Sequence, residues 1–240
     1  VADLVVIVPS RGRPQAVLGM AEAFRQTCTA ATDLLWAVDD DDACLEQYTA
    51  AVSAFAYGPA ALPMRVGVAD APSTMVGTLN TAARMVVADE PAKAIAFMGD
   101  DHRPRTKGWD TAYLEALERL PGFVYGNDLI QGANLPTQVA MSAEVVRALG
   151  HMAPPTLTHL YVDNYWLSLG RATGCITYLP DVVVEHRHPV AGKAEWDAGY
   201  QRVNDPAMYD RDAAAFAAYW REHGDRDVRA VREAVAKVAP

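Results

Sequence analysis

Leu4-Val5-Val6-Ile7-Val8-Pro9-Ser10-Arg11-Gly12-Arg13-Pro14 is a continuous β-branched run closed by a proline and a polar turn. A strand that is apolar at every position, not at alternate ones, has both faces covered, as a central parallel strand between helices does. The pattern recurs twice. Leu34-Leu35-Trp36-Ala37-Val38 runs into Asp39-Asp40-Asp41-Asp42, and Ala94-Ile95-Ala96-Phe97-Met98 runs into Gly99-Asp100-Asp101. Between these runs, Val17, Met20, Ala21 and Phe24 keep helical spacing after Pro14, and Met64 to Val68 reads as a short strand. Further helices are predicted from Cys44 to Ala54 and from Gly77 to Ala88. Alternating strand and helix periods predict a layered α/β domain with a mostly parallel sheet. Such sheets bind ligands beyond the carboxyl ends of their strands. The turns Ser10 to Arg13, Asp39 to Asp42 and Gly99 to Asp101 are therefore expected to converge.

The second half has a different texture. Pro121 to Pro136 is rich in Gly, Pro and Asn and predicts loops and short strands over a sheet edge. Ser142 is placed to cap a helix reaching Leu149, with Gly150 to stop it, and another helix is predicted from Tyr161 to Leu169, ending near Gly170 or Gly174. Cys175 to Leu179 and Val182 to Val184 read as strands on either side of Pro180-Asp181. After His186-Arg187-His188-Pro189 a polar, mobile loop is expected up to Met208, followed by one or two Ala-rich surface helices. There is no internal repeat.

The chain has 240 residues, 51% of them hydrophobic, enough for a large core without staples. Lys+Arg 21 against Asp+Glu 30 gives a net charge of −9, which argues against a broad duplex-binding face. No apolar run reaches the roughly 18 residues that a membrane span needs, and the first residues lack a basic-then-apolar leader pattern. Cys28, Cys44 and Cys175 are odd in number and widely spaced, so a disulfide framework and a zinc cluster both fail; a cytoplasmic location is expected.

Four consecutive carboxylates from Asp39 to Asp42 repel one another unless water, donors or a cation offset them. A solvated acidic turn and a ligand-binding turn both fit. Asp100-Asp101 follows an apolar strand and precedes His102-Arg103-Pro104; paired acids at such an edge suit a hard divalent cation, Mn²⁺ or Mg²⁺, with phosphate oxygens in its shell. His186 and His188 point to one side of an extended segment, where imidazole can ligate Mn²⁺ and Arg187 or Lys193 can pair with phosphate charge. Asp163 has two readings: an acid that favours the start of a helix, or a general base, with Tyr165 and Trp166 nearby to stack on a sugar or base.

In order, these segments resemble the family 2-like glycosyltransferases of the GT-A fold across about residues 4 to 190. VVIVPSRGRP is similar to the family's first strand and nucleotide-proximal loop, and LLWAVDDDD stands where the family has VDDGS, whose acid contacts the base. GTLNTAARMV resembles the helix with a polar residue near the donor, and AFMGDDHRP the DxD-type metal and diphosphate motif. VAMSAEVVRALG resembles the segment near the acceptor site. YVDNYWLSLGRATGCITYLPDVVVEHRHP resembles the ED-containing helix and the closing strand with its histidine. Departures are Gly99 for the first acid of DxD, Asp41-Asp42 for GS, and Val162 for the first residue of the ED pair.

The resemblance implies a GT-A-type, Rossmann-like α/β fold, a mostly parallel sheet flanked by helices with C-terminal surface helices. It divides as a catalytic domain over 1–206 (nucleotide-binding half about 1–105, acceptor half about 106–206) and a helical appendage over 207–240. It implies transfer of a sugar from a nucleoside diphosphate sugar, most commonly of uridine, to an acceptor hydroxyl on a glycan, protein, metabolite or modified DNA base. Inversion is implied, with Asp163 as base. The donor would meet Pro9, Ser10, Arg11, Arg13, Asp39, Asp40, Asn80, Gly99 and Asp100, and the metal Asp101 with His186 or His188. Arg11 and Arg13 also fit as solvated turn residues. The acceptor side and a lid over Gly192 to Pro206 are expected to use Trp109, Tyr165, Trp166, Lys193 and Trp196. A metal-dependent nucleotidyltransferase or phosphohydrolase, and a non-catalytic sugar-nucleotide-binding module, are the competing readings.

Overall fold

The computed structural model describes residues 2–57, 61–70 and 74–238. In chain order its elements are β1 (Leu4–Pro9), α1 (Ala16–Thr27), β2 (Thr32–Asp39), α2 (Leu45–Ala56), β3 (Met64–Ala69), α3 (Met75–Asp89), β4 (Ala94–Phe97), β5 (His102–Pro104), α4 (Trp109–Arg119), β6 (Phe123–Asn127), β7 (Val139–Ser142), α5 (Ala143–Leu149), α6 (Val162–Thr173), β8 (Ile176–His186), α7 (Ala198–Val203) and α8 (Pro206–Val238). The sheet order is β3-β2-β1-β4-β7-β6-β8-β5. β1 pairs in parallel with β2 and β4, β2 with β3, and β6 with β8. β7 runs antiparallel between β4 and β6, and β5 antiparallel to β8.

The doubly apolar strands sit where their composition requires, with every residue of β1, β2 and β4 buried. Alternation along β1 divides the core in two. Leu4, Val6 and Val8 face Val17, Met20 and Phe24 of α1, Tyr48 of α2, and Trp109 and Tyr113 of α4. Val5 and Ile7 face the other layer, with Leu79 of α3, Val145 of α5, Trp166 and Leu169 of α6, and Tyr219 and Val231 of α8. Each fully buried aliphatic side chain contributes roughly 1.5–3 kcal/mol on transfer from water, which makes this pattern the main force fixing register.

Several local features differ from the sequence expectation. Pro14 and Gln15 form a turn, and α1 starts at Ala16, whose N–H donates to the Arg13 carbonyl. Ser142 holds the cap position of α5, but its hydroxyl accepts from the Gly122 N–H (3.0 Å) instead of from the helix. The segments around Pro180-Asp181 form one strand, β8, whose pairing with β6 shifts register between Gly126 and Asn127. The C-terminal segment is one helix of 33 residues, and its inner stripe of Tyr219, Val231 and Ala234 is buried in the core. Gly150 and Gly174 end α5 and α6 as expected, at φ +74° and +71°, the left-handed conformation that closes a helix most readily with glycine.

Candidate active site

The three polar turns do converge. Ser10 Oγ donates to Asp100 Oδ2 (2.6 Å) and Arg13 pairs with Asp100 Oδ1 (3.2 Å), which joins the end of β1 to the end of β4. Arg11 bridges to Asp39 (2.9 Å) and Asp41 (2.5 Å), which joins β1 to β2. Side chains and amides of the chain itself offset Asp39, Asp41 and Asp42 in the acidic run. Thr78 Oγ1 donates to Asp39 Oδ1 (2.6 Å), and the Gly12 and Cys44 amides donate to the two oxygens of Asp42 (both 2.8 Å). Asp41 holds its carboxyl below the usual range because Arg11 donates to it.

Asp101 is the hub. Oδ1 lies 3.3 Å from His102 Nδ1, Oδ2 lies 3.2 Å from His186 Nε2, and the Tyr200 hydroxyl donates to Oδ2 (2.8 Å). Antiparallel pairing of β5 with β8 sets His102 directly opposite His186, so the two rings stack at 4.3 Å. Burial alone would raise the Asp101 carboxyl, but the two imidazoles outweigh it and hold it well below the usual range. Burial and the Asp101 charge push the neighbouring Asp100 up. Burial and His186 push His102 down, while the bond to Asp101 overcomes burial and raises His186.

Asp101, His102 and His186 offer ligand atoms within 4.8 Å of one another. Ligands at about 2.1 Å from a cation and at right angles to one another are about 3 Å apart, close to the two spacings seen here. Gly99 supplies the room: a Cβ there would lie 2.8 Å from Asp101 Oδ1 and 3.1 Å from His102 Nδ1. The missing first acid of DxD and the folded-back His102 are thus one structural feature, and the three residues fit a divalent cation. One carboxylate and two imidazoles suit a first-row divalent ion better than Mg²⁺, which prefers an all-oxygen shell.

Asp163 lies in the first turn of α6 and accepts the Asn164 N–H (2.9 Å). Burial pushes its carboxyl up to about 6, and the positive field of His186 partly opposes that rise. A buried carboxyl raised toward neutral pH, within electrostatic reach of His186, is of the kind that general-base chemistry uses.

The segment after His188 packs over this group. Tyr200, in α7, lies under the Arg13 guanidinium at 4.0 Å, and Asp197 accepts from Arg13 (2.6 Å). Lys193 pairs with Glu185 (3.2 Å), and half-exposed Trp196 lies 6.2 Å from the His188 ring.

Other expected site residues lie elsewhere. Trp109 is fully buried, edge-on to Phe24 (5.5 Å) and Tyr113 (5.3 Å) beneath the sheet. Tyr165 and Trp166 are also fully buried and cannot stack on a sugar: Tyr165 donates to Asp227 (2.9 Å) and Trp166 Nε1 to the Met152 carbonyl (2.7 Å). The two layers of the core claim these aromatics, one taking Trp109 and the other Tyr165 and Trp166. Asn80 is buried and clamps the backbone at Met152 and Ala153 through three hydrogen bonds of 2.8–3.1 Å. His188 falls outside the Asp101 group and accepts from the Val190 N–H (3.2 Å), because the chain turns after His186. Asp40 sits at the exposed rim of the acidic turn, and Pro9 is buried as the last residue of β1. The sequence does not single out His102 as a candidate ligand, since only the pairing of β5 with β8 turns its ring onto Asp101.

The sequence matches no protein-family model and no curated protein. The structure is similar to those of nucleotide-sugar transferases. One is a mannosyltransferase from Pyrobaculum calidifontis, in complex with GDP-Man and Mn²⁺ (TM-score 0.60, 14% identity, 90% of this chain and 74% of that one). Another is S. aureus TarS 1-349, in complex with UDP-GlcNAc (TM-score 0.56, 11% identity, 99% of this chain and 84% of that one). The fold is therefore the GT-A-like fold of glycosyltransferases. Among the described residues no helix is long and apolar enough to cross a membrane.

Proposed function

We propose that this protein is a metal-dependent glycosyltransferase that moves a sugar from a nucleoside diphosphate donor to an acceptor hydroxyl. The observation that carries the reading is the meeting of Asp101, His102 and His186 at the carboxyl edge of the sheet, beside Arg13 and a carboxyl at Asp163 raised to about 6. The complexes of the two neighbours, one with GDP-Man and Mn²⁺ and one with UDP-GlcNAc, support a nucleotide-sugar donor. A bound divalent cation supplies a positive charge for the departing diphosphate. Asp101, His102 and His186 would hold it, and Arg13 and Ser10, both bonded to Asp100 at the same sheet edge, would face the diphosphate. Asp163 accepts the proton of the acceptor hydroxyl as its oxygen bonds to the anomeric carbon. The carbon–oxygen bond to the nucleoside diphosphate breaks on the opposite side, with inversion. Among the described residues one such acid–histidine group is present, which favours this reading over a two-metal phosphohydrolase.

The test is thermal stabilisation by UDP-, GDP-, TDP- and CMP-sugars, each with and without Mn²⁺. A ligand at about 100 times its Kd stabilises the folded state by about 2.7 kcal/mol. A metal-dependent shift with one donor, abolished in Asp101→Ala, is the expected result. Absence of a shift with every donor would overturn the proposal.

A further inference from the structure

α8 reaches the candidate base from behind. The Asp212 side chain, 0% exposed, accepts the amides of His159 (2.9 Å) and Leu160 (2.8 Å) through Oδ2, with longer contacts to the Thr158 amide (3.3 and 3.4 Å) and an ion pair with Arg211 (3.2 Å). These three amides belong to the residues just before Tyr161, which has a left-handed backbone (φ 64°) and opens α6 with no side-chain cap. One helical turn beyond Asp212, Phe216 stacks on the Tyr161 ring at 6.0 Å and 24°. On the other side of Asp163, Tyr165 donates to Asp227 of the same helix. Asp163 thus stands between two points that α8 holds, and the first of them depends on a single buried carboxylate.

We propose that Asp212 is a positioning residue: by gathering the amides of residues 158–160 it fixes the left-handed turn at Tyr161 and so the place of the Asp163 carboxylate against the cation site. A buried carboxylate that accepts several amides makes charge-assisted bonds stronger than those between neutral groups, and among the described residues no other side chain is bonded to these three amides. The inference rests on the reading of Asp163 as base.

Four proteins test it: the parent, Asp212→Ala, Asp212→Asn and Val231→Ala. The last loosens a core position of the same helix, which is 0% exposed and far along the chain from the loop. Turnover is followed as release of nucleoside diphosphate with water as acceptor, from the sugar nucleotide that stabilises the parent. Amide exchange over 158–165 is followed without substrate. Asp212→Ala is expected to lower kcat by about tenfold or more with donor KM within about twofold, and to speed exchange in that segment. Asp212→Asn, which keeps an acceptor oxygen, recovers most of the kcat, and Val231→Ala lowers the Tm but not kcat. Unchanged exchange over 158–165 in Asp212→Ala overturns the proposal, as does a Val231→Ala variant that loses as much kcat. Asp163→Asn separates the two ideas. Full turnover in that variant removes the base assignment and the proposal with it; an inactive Asp163→Asn beside a fully active Asp212→Ala removes only the positioning role.

Discussion

At residue 163, burial pushes a carboxyl up from its ordinary value of 3.8 to about 6. Between those two values the folded protein keeps a proton that the unfolded chain has released. The group therefore favours folding below about pH 4, and that contribution is lost as the pH rises toward 6. Asp163→Asn should flatten the fall of Tm between pH 4 and 6 that the parent shows. If the same carboxylate is the base, turnover drops as pH falls through about 6. Trp166 makes an opposite kind of prediction, because it is fully buried against Phe97 (5.2 Å). Trp166→Ala should cost about 3–5 kcal/mol of stability, measured by denaturant unfolding, where an acceptor-stacking residue would change only KM. Gly99→Ala places a methyl 2.8 Å from Asp101 Oδ1; Mn²⁺ affinity, read by calorimetry, should fall by about tenfold while the Tm changes little.

At the scale of elements, α7 matters most. Its Tyr200 hydroxyl occupies Asp101 Oδ2, and Asp197, just before it, occupies Arg13. Two groups expected to meet a cation and a diphosphate, Asp101 and Arg13, are therefore bonded to the segment that carries α7. A hydrogen bond to a charged group is worth about 1.5–3 kcal/mol, so Tyr200→Phe should tighten Mn²⁺ binding by about tenfold, and unchanged affinity would show that Tyr200 does not compete. Deleting Gly192 to Asp205 should raise donor KM, since the closed lid also excludes water. β5 is the counterpart on the sheet side. Three residues long, it sets His102 opposite His186, a juxtaposition too short and too remote in sequence to carry a periodic signal.

At the scale of the whole molecule, α8 is part of the core and not only a surface layer. It buries Tyr219 and Val231 on the layer that holds Trp166, its Asp212 holds the segment just before α6, and its Asp227 holds Tyr165 of α6. Against a typical total stability of about 5–15 kcal/mol, losing those contacts is decisive. A chain ending at Asp205 should show no cooperative thermal transition.

The strands at Leu4, Leu34 and Ala94, the acidic turns that end them and the glycines that stop α5 and α6 were legible in the sequence, because hydrophobic period and turn chemistry are local properties. The sequence also offers Asp101 and His186 as candidates, and the fold brings them together. The aromatic positions misled for a physical reason: spacing shows that Trp109, Tyr165 and Trp166 lie near motif residues, but not which face of the helix the core will cover. Asn80, His188 and His102 were decided the same way, by backbone at 152–153, by a turn after β8, and by an antiparallel pair between residues 84 apart. The sequence by itself determined which strands would be buried and which turns would carry charge. Tertiary structure alone decided which side chains meet, since that depends on strand pairing and on the docking of α8, and both are contacts between segments with no shared local pattern.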